Sequence, residues 1–342
     1  MGRRETITIR TGKRTVIIIA ALTALTLLLL AGLLLLHVWE EDAGAVKSPV
    51  SGGAGPEDAL TIYNGAWYRP RKELETVLAI GVDQASVDEE LYRAGKYEQS
   101  DFLLLLVLDK RNERCTAVHI NRDTMTEIRV LDDDTNEFLG TINRQLSLAH
   151  TYGNRPEARC KNTVTAVSGL LYGIEIDHYL SLTMDGVVML NDLAGGVTLE
   201  VMDDLTKLDP ALIQGETVTL RGRQALTYVQ VRMGLENPSN LHRMERQKQY
   251  LEALQKQFLS RTDVDEDFTI SALLELNAYM ASDCSVEQLS SLADTLADYG
   301  VTEYRTLEGE AVEGEKYMEY YVDEAAVREL VIELFYELAE NT

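Results

Sequence analysis

The stretch that decides the fold is Ser100–Thr124, SDFLLLLVLDKRNERCTAVHINRDT. Phe102–Leu108 is an unbroken apolar run, Asp109–Arg114 a polar turn and Cys115–Ile120 a second strand, which together make the pattern of a β-hairpin. With Arg111-Asn112 at the tip, antiparallel pairing joins residues whose numbers sum to 223 and sets Asp101 opposite Arg122. Apolar side chains on both faces of Phe102–Leu108 predict a central strand covered above and below. The hairpin therefore brings a carboxylate, a guanidinium and the adjacent Asp123 to one rim of a sheet, a scaffold suited to phosphate or metal chemistry.

Outward from the hairpin, strands and helices alternate. Thr76–Val82, His178–Thr183, Thr198–Met202 and Tyr317–Val322 read as strands. Ile142–Tyr152, Asn162–Tyr172, Asp185–Leu193, Ser271–Met280, Ser285–Asp298 and Glu324–Ala339 read as helices, and Gln224–Val231 as a helix turning extended. Gly195-Gly196-Val197 turns the chain into a strand, and Met244–Leu259 carries Met244, Tyr250, Leu251, Leu254 and Phe258 at helical spacing. The expected fold is α/β, a three-layer α/β/α sandwich with a mixed central sheet, preceded by one N-terminal transmembrane helix.

Four segments follow from composition. Residues 1–14 are basic and cytoplasmic; residues 15–39 form the transmembrane helix; residues 40–71 are an extracellular linker; residues 72–342 are the globular domain. Val16–Leu36 contains only apolar residues, Thr and Gly, far longer than the apolar region of a cleavable signal, so the Ala43-Gly44-Ala45 sequence beyond it is not read as a cleavage site. Arg3, Arg4, Arg10, Lys13 and Arg14 precede this run and Glu40, Glu41 and Asp42 follow it, which leaves the amino end in the cytoplasm and the rest outside a cell membrane. The Ser48–Asp58 stretch SPVSGGAGPED is a tether. Cys115, Cys160 and Cys284 are too few for a disulfide scaffold, and Cys115, within the hairpin, reads as a core residue.

The net charge is −24, and residues 1–39 hold five of the 32 basic and one of the 56 acidic residues, so the remainder carries −28. Such a domain repels nucleic acid and anionic surfaces. Against this background residues 221–249 carry six bases and two acids, an island able to meet an anion, although a solvated helix face explains part of it. Asp83 reads either as a turn or cap residue or, with Asp101, as one of two carboxylates suited to Mg²⁺. Taken by itself, Arg122 reads first as one half of a structural ion pair with Asp101 or Asp123. Arg243 and Arg246, three apart, share a helix face with Gln247 beside them, and a surface patch is their other reading. The histidines show no metal-ligand spacing. No nucleophile elbow and no phosphate-cradling Gly-Lys loop is present, which argues against an ATP-driven enzyme.

Ile80-Gly81-Val82-Asp83, Ser100-Asp101, His119-Ile120-Asn121-Arg122-Asp123-Thr124, and Arg232 with Arg243-Met244-Glu245-Arg246-Gln247 occur in an order and spacing that, with the anchor, resemble the LytR–CpsA–Psr family of membrane-anchored cell-wall glycopolymer transferases. Thr141-Ile142-Asn143, Ile176-Asp177-His178-Tyr179 and Leu193-Ala194-Gly195-Gly196-Val197 extend the likeness from about Leu74 to the carboxyl end. The resemblance implies Mg²⁺ on Asp83 and Asp101, and Arg122 as a pyrophosphate ligand. It also implies phosphate or sugar contacts from Arg232, Arg243, Arg246 and Gln247. Asp123 is implied to orient Arg122, with a role as catalytic base the weaker alternative.

The implied activity is an Mg²⁺-dependent phosphotransfer that moves a glycopolymer from a polyprenyl-pyrophosphate carrier to a peptidoglycan hydroxyl. A non-catalytic lipid- or polymer-binding protein and a lipid pyrophosphatase are the alternatives. A lipid groove is implied along Leu146, Val164, Val167, Leu170, Val187 and Leu190, residues that would equally close an ordinary core. The chain departs from the family in two places: no arginine stands two residues after Asp83, and Gln230-Val231-Arg232 replaces an Arg-x-Arg. Arg93 or Lys96 is the expected compensation.

Overall fold

The computed structural model describes residues 60–83, 98–232, 234–265 and 267–339. The expected transmembrane helix at 15–39, the segment before it, most of the linker, and Arg93 and Lys96 lie outside them. Among the described residues no helix is long and apolar enough to cross a membrane.

The strands in chain order are β1 (Thr61–Tyr63), β2 (Ala66–Pro70), β3 (Leu74–Val82), β4 (Ser100–Asp109), β5 (Arg114–His119), β6 (Met125–Leu131), β7 (Phe138–Gln145), β8 (His178–Thr183), β9 (Val197–Glu200), β10 (Thr217–Leu220), β11 (Met280–Ser282), β12 (Val301–Thr306), β13 (Gly309–Glu313), β14 (Met318–Val322) and β15 (Tyr336–Leu338). The helices are α1 (Pro156–Leu170), α2 (Met184–Leu193), α3 (Arg223–Gln230), α4 (Asn240–Thr262), α5 (Phe268–Leu276), α6 (Val286–Tyr299) and α7 (Glu324–Phe335).

A six-stranded mixed sheet in the order β11-β8-β3-β4-β5-β12 organises the molecule. The β4–β5 pairing runs Leu104↔His119 through Asp109↔Arg114, the register expected from the turn. Strand β4 lies inside the sheet, antiparallel to both neighbours, as its unbroken apolar run requires. Its two faces meet different layers. Leu103, Leu105 and Val107 join Leu78, Ile80 and Val82 in a core closed by α1 and α7 through Val167, Val327 and Val331. On the other face Leu108, Val77 and Cys115 pack with Leu292 of α6, which confirms Cys115 as a core residue. A second core joins α2, β9, β10, α3 and α4 around Val197, Leu220, Tyr228 and Tyr250.

Gly195 and Gly196 end α2 with φ of 86° and 91°, backbone that favours glycine, and so let the chain reverse into β9. Three expected helices are corrected. Ile142–Tyr152 is the end of β7 followed by a 3₁₀ turn at Leu146–Thr151, because Ile142 pairs across to Ile128 of β6. The helix expected over Ser271–Met280 stops at Leu276, and Met280–Ser282 adds an edge strand to β8. The helix expected to reach Ala339 stops at Phe335, where Tyr336–Leu338 pairs with β2. Strand β12, parallel to β5, went unread because VTEYRT has no apolar run to announce it.

Candidate active site

The rim at the carboxyl end of β3 and β8 collects the charged residues. β3 runs into Asp83, whose exposed side chain stands at the end of the strand beside β4; the ladder there pairs Val82 with Ser100. Just beyond the hairpin ladder, Asp101 is ion-paired with the Nη1 of Arg122, the cross-strand partner that the register predicts. Arg122 also donates to Gln99 and, at 3.4 Å, to Ser147 Oγ, and its Nε lies 3.5 Å from Asp123. Burial pushes the Arg122 pKa down, and Asp123 opposes this more than Arg232 adds to it.

Asp123 is buried, and its oxygens are already engaged. Gln145 donates to Oδ1 at 3.0 Å, and Arg232 Nη1 stands 3.5 Å from Oδ2. Its own backbone N–H donates to Asn121 Oδ1 at 2.9 Å, and its carbonyl accepts from Tyr320 N at 2.9 Å. Asn240 of α4 donates to that same Asn121 oxygen at 2.6 Å and accepts from Arg243. A relay of two amides thus ties α4 to the loop after β5.

Arg243 is 4% exposed, with Nη1 3.9 Å from Asp101 Oδ2 and Nη2 donating to the Asp101 carbonyl at 3.4 Å. Burial, and then the Arg122 and Arg232 guanidiniums, push its pKa down to about 9, so it stays charged at neutral pH. Three guanidiniums crowded into one partly dry rim repel each other, and an anion with several oxygens relieves that repulsion. His119 sits beneath them against the Phe102 ring, with centroids 4.9 Å apart. Burial and Arg243 lower its pKa to about 3, which keeps it neutral.

A cleft of about 60 Å³ opens beside Asp101 and Arg243. Gly81 and Phe102 form its floor, Leu182, Met184, Val187, Leu226 and Val229 its apolar walls, and Gln247 part of its rim.

The LytR_cpsA_psr family profile matches residues 46–334. The chain belongs to the LytR–CpsA–Psr family. It is 28% identical over 228 residues to the polyisoprenyl-teichoic acid–peptidoglycan teichoic acid transferase TagU of Halalkalibacterium halodurans, covering 66% of each chain. It is 30% identical over 285 residues to the cell wall biosynthesis protein LcpA of Corynebacterium glutamicum, covering 75% of this chain and 52% of that protein. The chain thus spans between about half and two thirds of the length of these relatives. The structure of TagT bound to LI-WTA superposes with a TM-score of 0.56 at 19% identity, covering 77% of this chain and 90% of that one, a likeness of fold.

For this family member the structure gathers Asp83, Asp101, Arg122, Asp123, Arg232 and Arg243 at one rim, and Gln247 at the cleft. Arg246 is placed differently from its expected ligand role. Fully buried, it donates to Asp203 at 2.7 Å and to the Val231 carbonyl, so it ties down the loop that carries Arg232. The expected lipid-groove residues also divide. Leu146, Val164, Val167 and Leu170 pack in the core closed by α1, Leu190 packs in the second core, and Val187 alone of the six lines the cleft.

The sequence reading passed over Gln99, Asn121, Gln145, Ser147 and Asn240, whose uncharged amides and hydroxyl hold the charged groups in place. It also passed over Glu98, buried against Arg159 at 3.1 Å. Burial raises the Glu98 pKa to about 7, with Arg159 opposing and Asp83 adding to the rise.

Proposed function

We propose that the chain transfers a glycopolymer from a polyprenyl-pyrophosphate carrier to a hydroxyl of peptidoglycan, leaving a phosphodiester link, at the outer face of a cell membrane. The observation that carries this reading is the convergence of Arg122, Arg232 and Arg243 on Asp101 and Asp123 at the mouth of an apolar cleft. The name of the Halalkalibacterium halodurans relative supports both donor and acceptor.

In this mechanism Arg122, Arg232 and Arg243 bind the pyrophosphate oxygens and neutralise charge that spreads over them in the transition state. The acceptor oxygen bonds to the sugar-side phosphorus, the bridging P–O bond breaks, and polyprenyl phosphate departs with the electron pair. Asp123, its oxygens held by Gln145 and both neighbouring arginines, orients Arg122 and Arg232 rather than acting as the base. Asp83 and Asp101, two oxygen-donor carboxylates on adjacent strand ends, suit a hard divalent cation. We assign Mg²⁺ there, where it supplies charge neutralisation at phosphate. The proton of the acceptor hydroxyl leaves to solvent, to which the rim is open at Asp83. The apolar walls of the cleft take the start of the prenyl chain, and a longer chain requires α2 and α3 to part from the sheet.

The loss of two family arginines, at Ala85 and Gln230, favours a second reading as a protein that binds the lipid without turnover. One experiment separates the readings: the full chain in detergent micelles with lipid-linked glycan pyrophosphate, Mg²⁺ and peptidoglycan fragments. Covalent glycan–peptidoglycan product is the expected result. Phosphate release without product indicates a pyrophosphatase, and saturable binding without either indicates a binding protein.

A further inference from the structure

The opposite end of the central sheet holds a second cluster of different chemistry. Strand β8 starts at His178, and β11 is followed by a bend, Asp283-Cys284, that leads into Ser285, the N-cap of α6. One ligand atom each from His178, Asp283 and Cys284 lie within 4.8 Å of one another. His178 Nδ1 is 3.8 Å from Asp283 Oδ1, and Cys284 Sγ is also 3.8 Å from that oxygen. Tetrahedral zinc spaces such ligands about 3.3–3.7 Å apart, so the two pairs that share Asp283 stand within a few tenths of an ångström of that spacing, and His178 and Cys284, no more than 4.8 Å apart, close on the ion by side-chain rotation.

Two further features belong to a built site. The other ring nitrogen of His178, Nε2, faces Glu75 Oε1 at 3.7 Å, and Glu75 is itself held by Lys110 at 2.9 Å. A carboxylate behind the imidazole is the arrangement that fixes the tautomer of a metal-binding histidine. The ligand turn is also pinned to β8: Asp283 Oδ1 accepts from Tyr179 N at 2.9 Å, and Ser282 Oγ donates to the Tyr179 carbonyl at 2.6 Å.

We propose that His178 Nδ1, the Asp283 carboxylate and the Cys284 thiolate bind one zinc ion, with Glu75 behind the histidine and water completing the tetrahedron. Thiolate and imidazole select a borderline-soft ion over Mg²⁺, unlike the oxygen-only pair at the other rim. On binding, the Cys284 S–H bond gives way to a sulfur–zinc bond and the proton leaves to solvent. The ion staples β8 to the turn between β11 and α6. Leu182 and Met184, at the far end of β8 and the start of α2, line the cleft, so the staple steadies one of its walls.

The test uses zinc alone on the full chain in detergent micelles, measured as metal content after dialysis and as a zinc titration, with Co²⁺ as a spectroscopic substitute. One zinc per chain is expected, along with a thiolate-to-cobalt charge-transfer band that Cys284→Ser removes. Glu75→Gln, which leaves all three ligands, should weaken zinc about 10- to 100-fold. Zinc should raise the melting temperature of the wild type and of Asp83→Asn, but not of a Cys284→Ser chain that retains its far-ultraviolet circular dichroism. Zinc uptake unchanged in both His178→Ala and Cys284→Ser, or uptake lost in Asp83→Asn instead, overturns the site, as does a folded chain that takes up no zinc.

Discussion

The two faces of β4 are made from one run of leucines and yet do opposite things. Leu103, Leu105 and Val107 enter a sealed apolar core, whereas Phe102, one residue away, floors a cleft with the buried Arg243 beside it. Strand alternation assigns residues to faces but does not specify what covers each face. Here α1 and α7 bring aliphatic side chains to one side, and α4 brings a guanidinium to the other. The comparison teaches that the buried arginines are held through their Nη groups, by Asp101, Asp123, Asn240 and two backbone carbonyls, while the Nε of Arg122, Arg243 and Arg246 is left without a hydrogen-bond partner.

That contrast can be broken at the rim first. Arg122→Ala should lower glycopolymer transfer about 10³-fold, measured by product formation with the lipid-linked donor, because a transition-state donor is lost from a low-dielectric site. The sealed face should respond in stability instead. Leu105→Ala, at a fully buried position, should cost about 2–5 kcal/mol in urea unfolding while leaving the KM of the folded enzyme unchanged. A comparable loss of donor affinity in Leu105→Ala would merge the two faces and defeat the comparison.

Glu98 sharpens it further. Its pKa is raised from the ordinary 4.5 to about 7, so its contribution to stability is fully present below about 4.5 and is lost as pH rises through 7. Wild-type stability should therefore fall by about 3 kcal/mol between pH 4.5 and 8 from this group, and Glu98→Gln should flatten that slope in denaturant titrations at several pH values. The slope decides the matter, since the substitution also disturbs Arg159. The smallest effect is expected at Arg246→Met, where loss of the Val231 tether should raise the KM for the donor about 10-fold with kcat nearly unchanged. A fall in kcat of the same size would mean that Arg246 itself touches substrate.

How much of the site was legible depended on how far apart its parts lie in the chain. The Asp101–Arg122 pair was readable because turn length sets the register of a hairpin, and an apolar run without polar breaks places its strand inside a sheet. Asp83 was readable for the same local reason, as the residue just past an apolar strand. Arg246 was misplaced because helical spacing puts it on the face of Arg243 but does not show that Asp203 and the Val231 carbonyl await it. Asn121 lies within a family motif but its spacing gives its amide no role, and Asn240 belongs to no motif. They become informative only when α4 packs against the loop after β5 and their hydrogen bond forms at 2.6 Å.

The amino-acid sequence by itself determined the central hairpin, its register, the alternation of strands and helices, the basic island and the motifs that mark the family. These depend on local periodicity, turn length and charge, which act over a few residues. Tertiary structure alone decided that Ile142 belongs to a strand, that β12 and β11 close the sheet edges, and that Arg232 and Arg243 meet Arg122. It alone brought His178 to Asp283 and Cys284. Such pairings depend on burial and on partners from distant parts of the chain, and no window of sequence contains them.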